Sequence, residues 1–130
     1  MSHWAAEYIG QPWVSGDYDC WVFFREIQKK HFRVDVPIVD IDSTDLMQVA
    51  RRFRDDTERG RWRKVGTPQD GDAVLMSHSR FPSHIGVWVD VDGGGVLHCQ
   101  ERTGVVFQKQ QDLLLGSWPK LEFYRCSRTV

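Results

Sequence analysis

SHIGVWVDVDGGGVLHCQERTGVVFQ, residues 83–108, alternates apolar with polar or small side chains in three short runs, broken at DGGG (92–95) and RTG (102–104). Period two over a handful of residues puts successive side chains on opposite faces of a strand. Breaks this short and this rich in glycine join neighbouring strands as hairpins, so the stretch reads as an antiparallel meander. AVLM (73–76) and LEFYRC (121–126) carry the same signal, which makes about five strands. QQDLLLG (110–116) reads as a short helical turn between the last two.

The period changes upstream. From Cys20 to about His31, Cys20, Trp21, Phe23, Phe24 and Ile27 form an apolar stripe, against Arg25, Glu26, Gln28, Lys29 and Lys30 on a polar side. That spacing predicts a helix of about three turns, with Asp19 placed to cap its start. VDVPIVDID (34–42) is expected to be extended, because Pro37 does not fit a helix interior. DSTDLMQVARRFRDD (42–56) predicts a second helix, with Leu46, Val49, Ala50 and Phe53 on one face. Helices first and a meander after give an α+β class, the N-terminal helices packed on one face of the sheet.

The bulk numbers suit one domain over residues 1–130, with 41% hydrophobic residues and six Trp. Seventeen basic and eighteen acidic residues nearly cancel, which gives no reason to expect nucleic acid or an anionic membrane as partner. No apolar run approaches the roughly 18 residues that span a bilayer, so no membrane insertion is expected. MSHWAAEYIGQPW at the N-terminus lacks a basic region followed by an apolar run. The expectation is cytoplasmic synthesis without a signal peptide.

The three cysteines, Cys20, Cys99 and Cys126, include no close pair, so at least one free thiol is expected. Short paired-ligand zinc motifs are missing, and the one set left to consider is Cys20, His84, His98 and Cys99. No metal or cofactor is expected.

Alternation then sorts the candidate chemistry. Ile85, Val87 and Val89 share one side of their strand, and His84, Gly86 and Trp88 the other. Pairing through the DGGG hairpin sets His84 across from residues 98–101, beside His98 or Gln100. A cysteine at a helix start is pushed toward thiolate by the helix dipole and free N–H groups. Those N–H groups can also hold an oxyanion. Thiol, imidazole and a polar orienter make up the relay of nucleophilic catalysis. The pattern alone leaves two readings: Cys20 as nucleophile or as a buried small hydrophobe, and His84 as base or as a hydrogen-bonded structural residue. Cys99 reads as core and Cys126 as inert, while His3, His31 and His78 are most simply solvated.

IGQPWVSGDYDCWVFFR, GDAVLM, SHIGVWV and VLHCQERTGVVF follow in order the landmarks of NlpC-type cell-wall cysteine peptidases, across roughly residues 8–126. That family pattern reads G-x-P-[YW]-x-x-G, D-C before a helix, G-D-[LAV], H-[VI]-G-[IV]-[YW] and [IVL]-H-[AC]. DCW in place of the commoner DCSG, the compact size and the LEFYRC ending are most similar to phage and prophage versions associated with tails. The resemblance implies a papain-like form of the α+β fold and a catalytic set of Cys20 as nucleophile, His84 as base and His98 as orienter. The family's upstream oxyanion tyrosine falls on Trp13, with Tyr18 and Asp19 as neighbouring oxyanion or substrate candidates. It also implies a peptidoglycan stem peptide as substrate, phage tail proteins as partners and delivery to the host wall. The readings weighed beside it are a non-catalytic tail module with the same fold, a papain-like acyltransferase or deamidase, and a cytoplasmic enzyme recycling wall peptides.

Overall fold

A computed structural model of the chain describes residues 4–14, 20–34, 62–77, 84–116 and 118–126. A short 3-10 turn, Trp4–Glu7, precedes helix α1 (Cys20–Phe32). Strands β1 (Trp62–Val65), β2 (Ala73–Ser77), β3 (His84–Val89), β4 (Gly95–Gln100) and β5 (Gly104–Lys109) follow, then α2 (Gln110–Leu115) and β6 (Lys120–Cys126). The six strands make one antiparallel sheet in the order β1-β6-β2-β3-β4-β5. The class is α+β, with one main helix on a single sheet among the described residues.

Five strands fall where period two predicts them, and the helical turn at 110–116 is α2. Two expectations change. Among the described residues the sheet has six strands, because WRKV contributes β1 at the edge beyond β6. The meander covers only β2 to β5, since β6 crosses back to pair with β2 and makes that fully buried strand central. Of the segment expected to be extended (34–42) only Val34 is described; its remainder and the expected helix (42–56) lie outside the described residues, as do Tyr18 and Asp19.

The helix follows its apolar stripe. Cys20, Phe23, Phe24 and Ile27 recur at helical spacing and are buried, so α1 lays one face on the sheet. Lys29, Lys30 and His31 occupy the last turn, where positive charge meets the negative end of the helix dipole. Beyond it Arg33 turns with φ 57°, and Val34 N–H donates back to the Gln28 carbonyl. Gln28 departs from its expected solvated side. It is buried, and its Nε2 donates to the Gly71 carbonyl at 2.8 Å, tying the helix to the turn before β2.

Two apolar clusters lie on the two sides of the sheet. One joins α1 to Leu75, Ile85, Val87, Val89, Leu97, Cys99 and Val105. The other holds Val74, Met76, Trp88 and Val96, closed over by Leu113 of α2, Trp118 and Phe123. The β3–β4 hairpin turns on Asp92 and Gly93, both at positive φ, with Gly94 N–H bonded to the Val91 carbonyl. That is the turn geometry whose twist matches the strands it joins. At the far edge, Gly10 N–H donates to the Val105 carbonyl and Val105 N–H to the Gln11 carbonyl. The N-terminal segment thus covers β5 and removes an open edge.

Candidate active site

His84 opens β3, and the β3–β4 register, Val87 to Leu97 and Trp88 to Val96, carries forward to set Gly86 across from His98. A Cβ at residue 86 would come within 2.5 Å of Val96 Cγ1 and 3.0 Å of His98 Cβ. The missing side chain leaves room for the His98 ring to lean diagonally toward His84. Diagonal cross-strand neighbours lie within reach of rings of this size. His84 Nε2 and His98 Nδ1 stand 2.9 Å apart, with the rings edge to face at 77°. Of the two partners allowed by the sequence it is therefore His98 that meets His84. Gln100 lies at the hairpin and donates to Thr103 Oγ1 instead.

The chain continues onto β5. His98 pairs across from Val106, and two residues further Gln108 brings Oε1 to 2.8 Å from His98 Nε2. Trp118 stacks on the opposite end of the array, nearly parallel to the His84 ring at 5.1 Å between centroids. His84 is 7% exposed and His98 fully buried. The hydrogen bond to His98 engages Nε2 of His84, so Nδ1 is the ring atom still open to accept a proton.

Burial controls the charge of both rings. His84 is held well below the ordinary histidine range, first by desolvation and then by the neighbouring His98. His98 is pushed down to about 4 by desolvation, against a smaller upward pull from its hydrogen bond to Gln108. Both imidazoles are neutral at pH 7, the state in which a ring nitrogen can take a proton. Among the described residues no group of three or more His, Cys, Asp or Glu side chains stands together as metal ligands.

Cys20 is the first residue of α1, where backbone N–H groups of the first turn have no intrahelical acceptor. It is buried at 4% exposure in the α1-side cluster with Ile85, whereas His84, on the opposite face of β3, stacks on Trp118 of the other cluster. Trp13 packs half-buried against the same cluster, two residues beyond the Gln11 carbonyl that holds β5. The structure thus gathers His84, His98, Gln108 and Trp118 into one array, and sets Cys20 and Trp13 in the α1-side core.

Gln108 and Trp118 are absent from the sequence-level site. Gln108 has a signal: through the RTG hairpin, the same-face neighbours of His98 on the next strand are Gly104, Val106 and Gln108, and only the last is polar. Trp118 follows a helix and has no such register to locate it.

His31 also departs from its expected solvated state. Its Nε2 lies 2.9 Å from the Tyr8 hydroxyl and its ring stacks on Trp4 at 4.0 Å, fixing the N-terminal turn to the end of α1. A third polar group, Asp72, is buried and accepts from Arg125 Nε at 3.0 Å and Nη2 at 2.8 Å. Gln69 N–H adds a bond at 2.7 Å, so this ion pair joins the start of β2 to the end of β6. Comparison with known proteins adds no assignment: no protein-family model matches the chain, and no curated protein matches it.

Proposed function

We propose that this protein is a thiol-dependent amide hydrolase of the NlpC type, with a papain-like form of the α+β fold, acting on peptidoglycan stem peptides. The observation that carries the reading is the ordered array His84–His98–Gln108, with a neutral imidazole whose Nδ1 is open. A base held by a second polar group is what nucleophilic catalysis requires beyond the nucleophile itself. Cys20 at the start of α1 supplies the thiol.

In the proposed reaction sulfur of Cys20 attacks the scissile carbonyl and its proton passes to His84 Nδ1, which requires the thiol to reach the start of β3 from the α1-side core. First-turn N–H groups of α1 hold the oxyanion, with Trp13, Tyr18 and Asp19 as further candidates for contacts to the oxyanion or the substrate. Collapse of the intermediate breaks the C–N bond, and His84 returns the proton to the leaving amine. Water then attacks the thioester with His84 as base again, releasing the acid and restoring the thiol. His98 holds the imidazole in position throughout. The stem-peptide substrate, the tail association and delivery to the host wall follow from the resemblance of the GQPW, DC, SHIGVW and LHC segments to the cell-wall peptidases.

The test is release of amine from a defined stem tetrapeptide by the whole chain, compared with Cys20→Ala and His84→Ala. Both variants are expected to lose at least about a thousandfold in kcat/KM, the scale on which loss of a relay member is felt. Undiminished cleavage by either variant sinks the relay.

Burial of Cys20 among apolar side chains favours a second reading, a non-catalytic tail module that keeps the fold and binds wall peptide or a neighbouring subunit. Under it the wild-type chain binds the tetrapeptide without cleaving it.

A further inference from the structure

We propose that Gln108 is a positioning residue that sets the protonation pattern of the imidazole pair. Its side-chain oxygen makes Nε2 the protonated nitrogen of His98, and through His98 it leaves His84 with its proton on Nε2 and a lone pair on Nδ1. An amide oxygen only accepts hydrogen bonds, so the His98 Nε2 facing Gln108 Oε1 is the donor. A neutral imidazole carries one N–H, which leaves His98 Nδ1 bare to accept from His84 Nε2–H. The His84 proton is thereby committed to the interior, and the Nδ1 lone pair remains.

The reverse chain starts from the Gln108 amide nitrogen as donor. It puts the proton of each ring on Nδ1 and caps the one nitrogen of His84 that is open as a base. The two directions are not equivalent, because the forward one gives both rings the Nε2–H tautomer that neutral histidine intrinsically prefers. An acceptor at residue 108 therefore agrees with the preference of each ring, and the three groups support one arrangement. The value of that lone pair for catalysis rests on the reading of His84 as a base; the protonation pattern does not.

Long-range proton–nitrogen correlation spectra of the histidine-labelled whole chain at neutral pH read the pattern directly. The expected result is protonated-type shifts at Nε2 and unprotonated-type shifts at Nδ1 for both His84 and His98. Gln108→Leu should bring the two nitrogen shifts of His98 toward each other, as both tautomers become populated. Gln108→Glu should keep the wild-type pattern, since a carboxylate also only accepts. If Gln108→Leu does not fold, the wild-type and Gln108→Glu spectra still decide. A protonated Nδ1 on His84 in the wild type, or a Gln108→Leu spectrum identical to the wild type, overturns the proposal. On the tetrapeptide, Gln108→Leu is expected to lose about tenfold or more in kcat/KM, with Gln108→Glu recovering most of it. A wild-type chain with the expected spectrum and no cleavage removes the hydrolase reading while leaving the role of Gln108 intact.

Discussion

Nε2 of His84 and Nδ1 of His98 stand 2.9 Å apart on adjacent strands, so two buried rings share one hydrogen bond. Apolar burial keeps the pair uncharged, and Gln108 at one end and Trp118 at the other keep it ordered.

The uncharged pair makes stability depend on acid. The folded-state pKa of each ring lies below its unfolded value, His98 at about 4. Between that value and roughly 6.5 the unfolded chain therefore binds more protons than the folded one. The associated stability is complete above pH ~6.5 and is lost as pH falls toward 4, on the order of 3 kcal/mol for His98. Urea midpoints measured across this window should fall steadily, and less so in His98→Gln. Equal slopes in the two proteins would show that the rings do not carry the effect.

Trp118 shields His84 by stacking on it, and is itself 9% exposed. Trp118→Ala should admit water and raise the His84 pKa toward the ordinary value near 6.5. Titration of the ring proton by NMR checks this, and an unmoved pKa would place the desolvation elsewhere.

Gly86 faces His98 with no room for a methyl group. Gly86→Ala is expected to destabilise the protein by about 1–3 kcal/mol through overpacking. It should also weaken the hydrogen bond between the imidazoles, visible as a change in their nitrogen shifts. A variant as stable as the wild type with unchanged shifts would contradict that packing.

The Asp72–Arg125 pair is forked and half-sheltered, unlike the exposed Lys64–Glu122 contact at 3.8 Å. Arg125→Ala strands a buried carboxylate and should cost about 2–4 kcal/mol. Lys64→Ala should change stability by less than ~0.5 kcal/mol. Equal effects in chemical denaturation would remove the pair as the tie between β2 and β6.

Much of this arrangement is legible in the sequence because it is local. Alternation locates β2 to β6, and helical spacing locates the buried face of α1. What escapes depends on distant pairing. WRKV buries only Trp62 well, since an edge strand has little to alternate against, and the return of β6 to β2 is a long-range choice. Gln28 and His31 look like a solvated helix side until Gly71 and Tyr8 arrive from elsewhere in the chain. At the site, the two histidines follow from one hairpin, Gln108 needs a second hairpin's register, and Trp118 has no periodic signal at all.

The thiol is the centre of the functional account, and its ionisation can be measured directly. Alkylation of Cys20 across pH, read by peptide mapping to separate it from Cys99 and Cys126, gives its apparent pKa. A thiol held at the start of α1, where the helix dipole and free N–H groups favour thiolate, should react with an apparent pKa below the ordinary ~8.5. Slow reaction with an apparent pKa at or above ~8.5 in the wild type would contradict the relay and leave Cys20 as core.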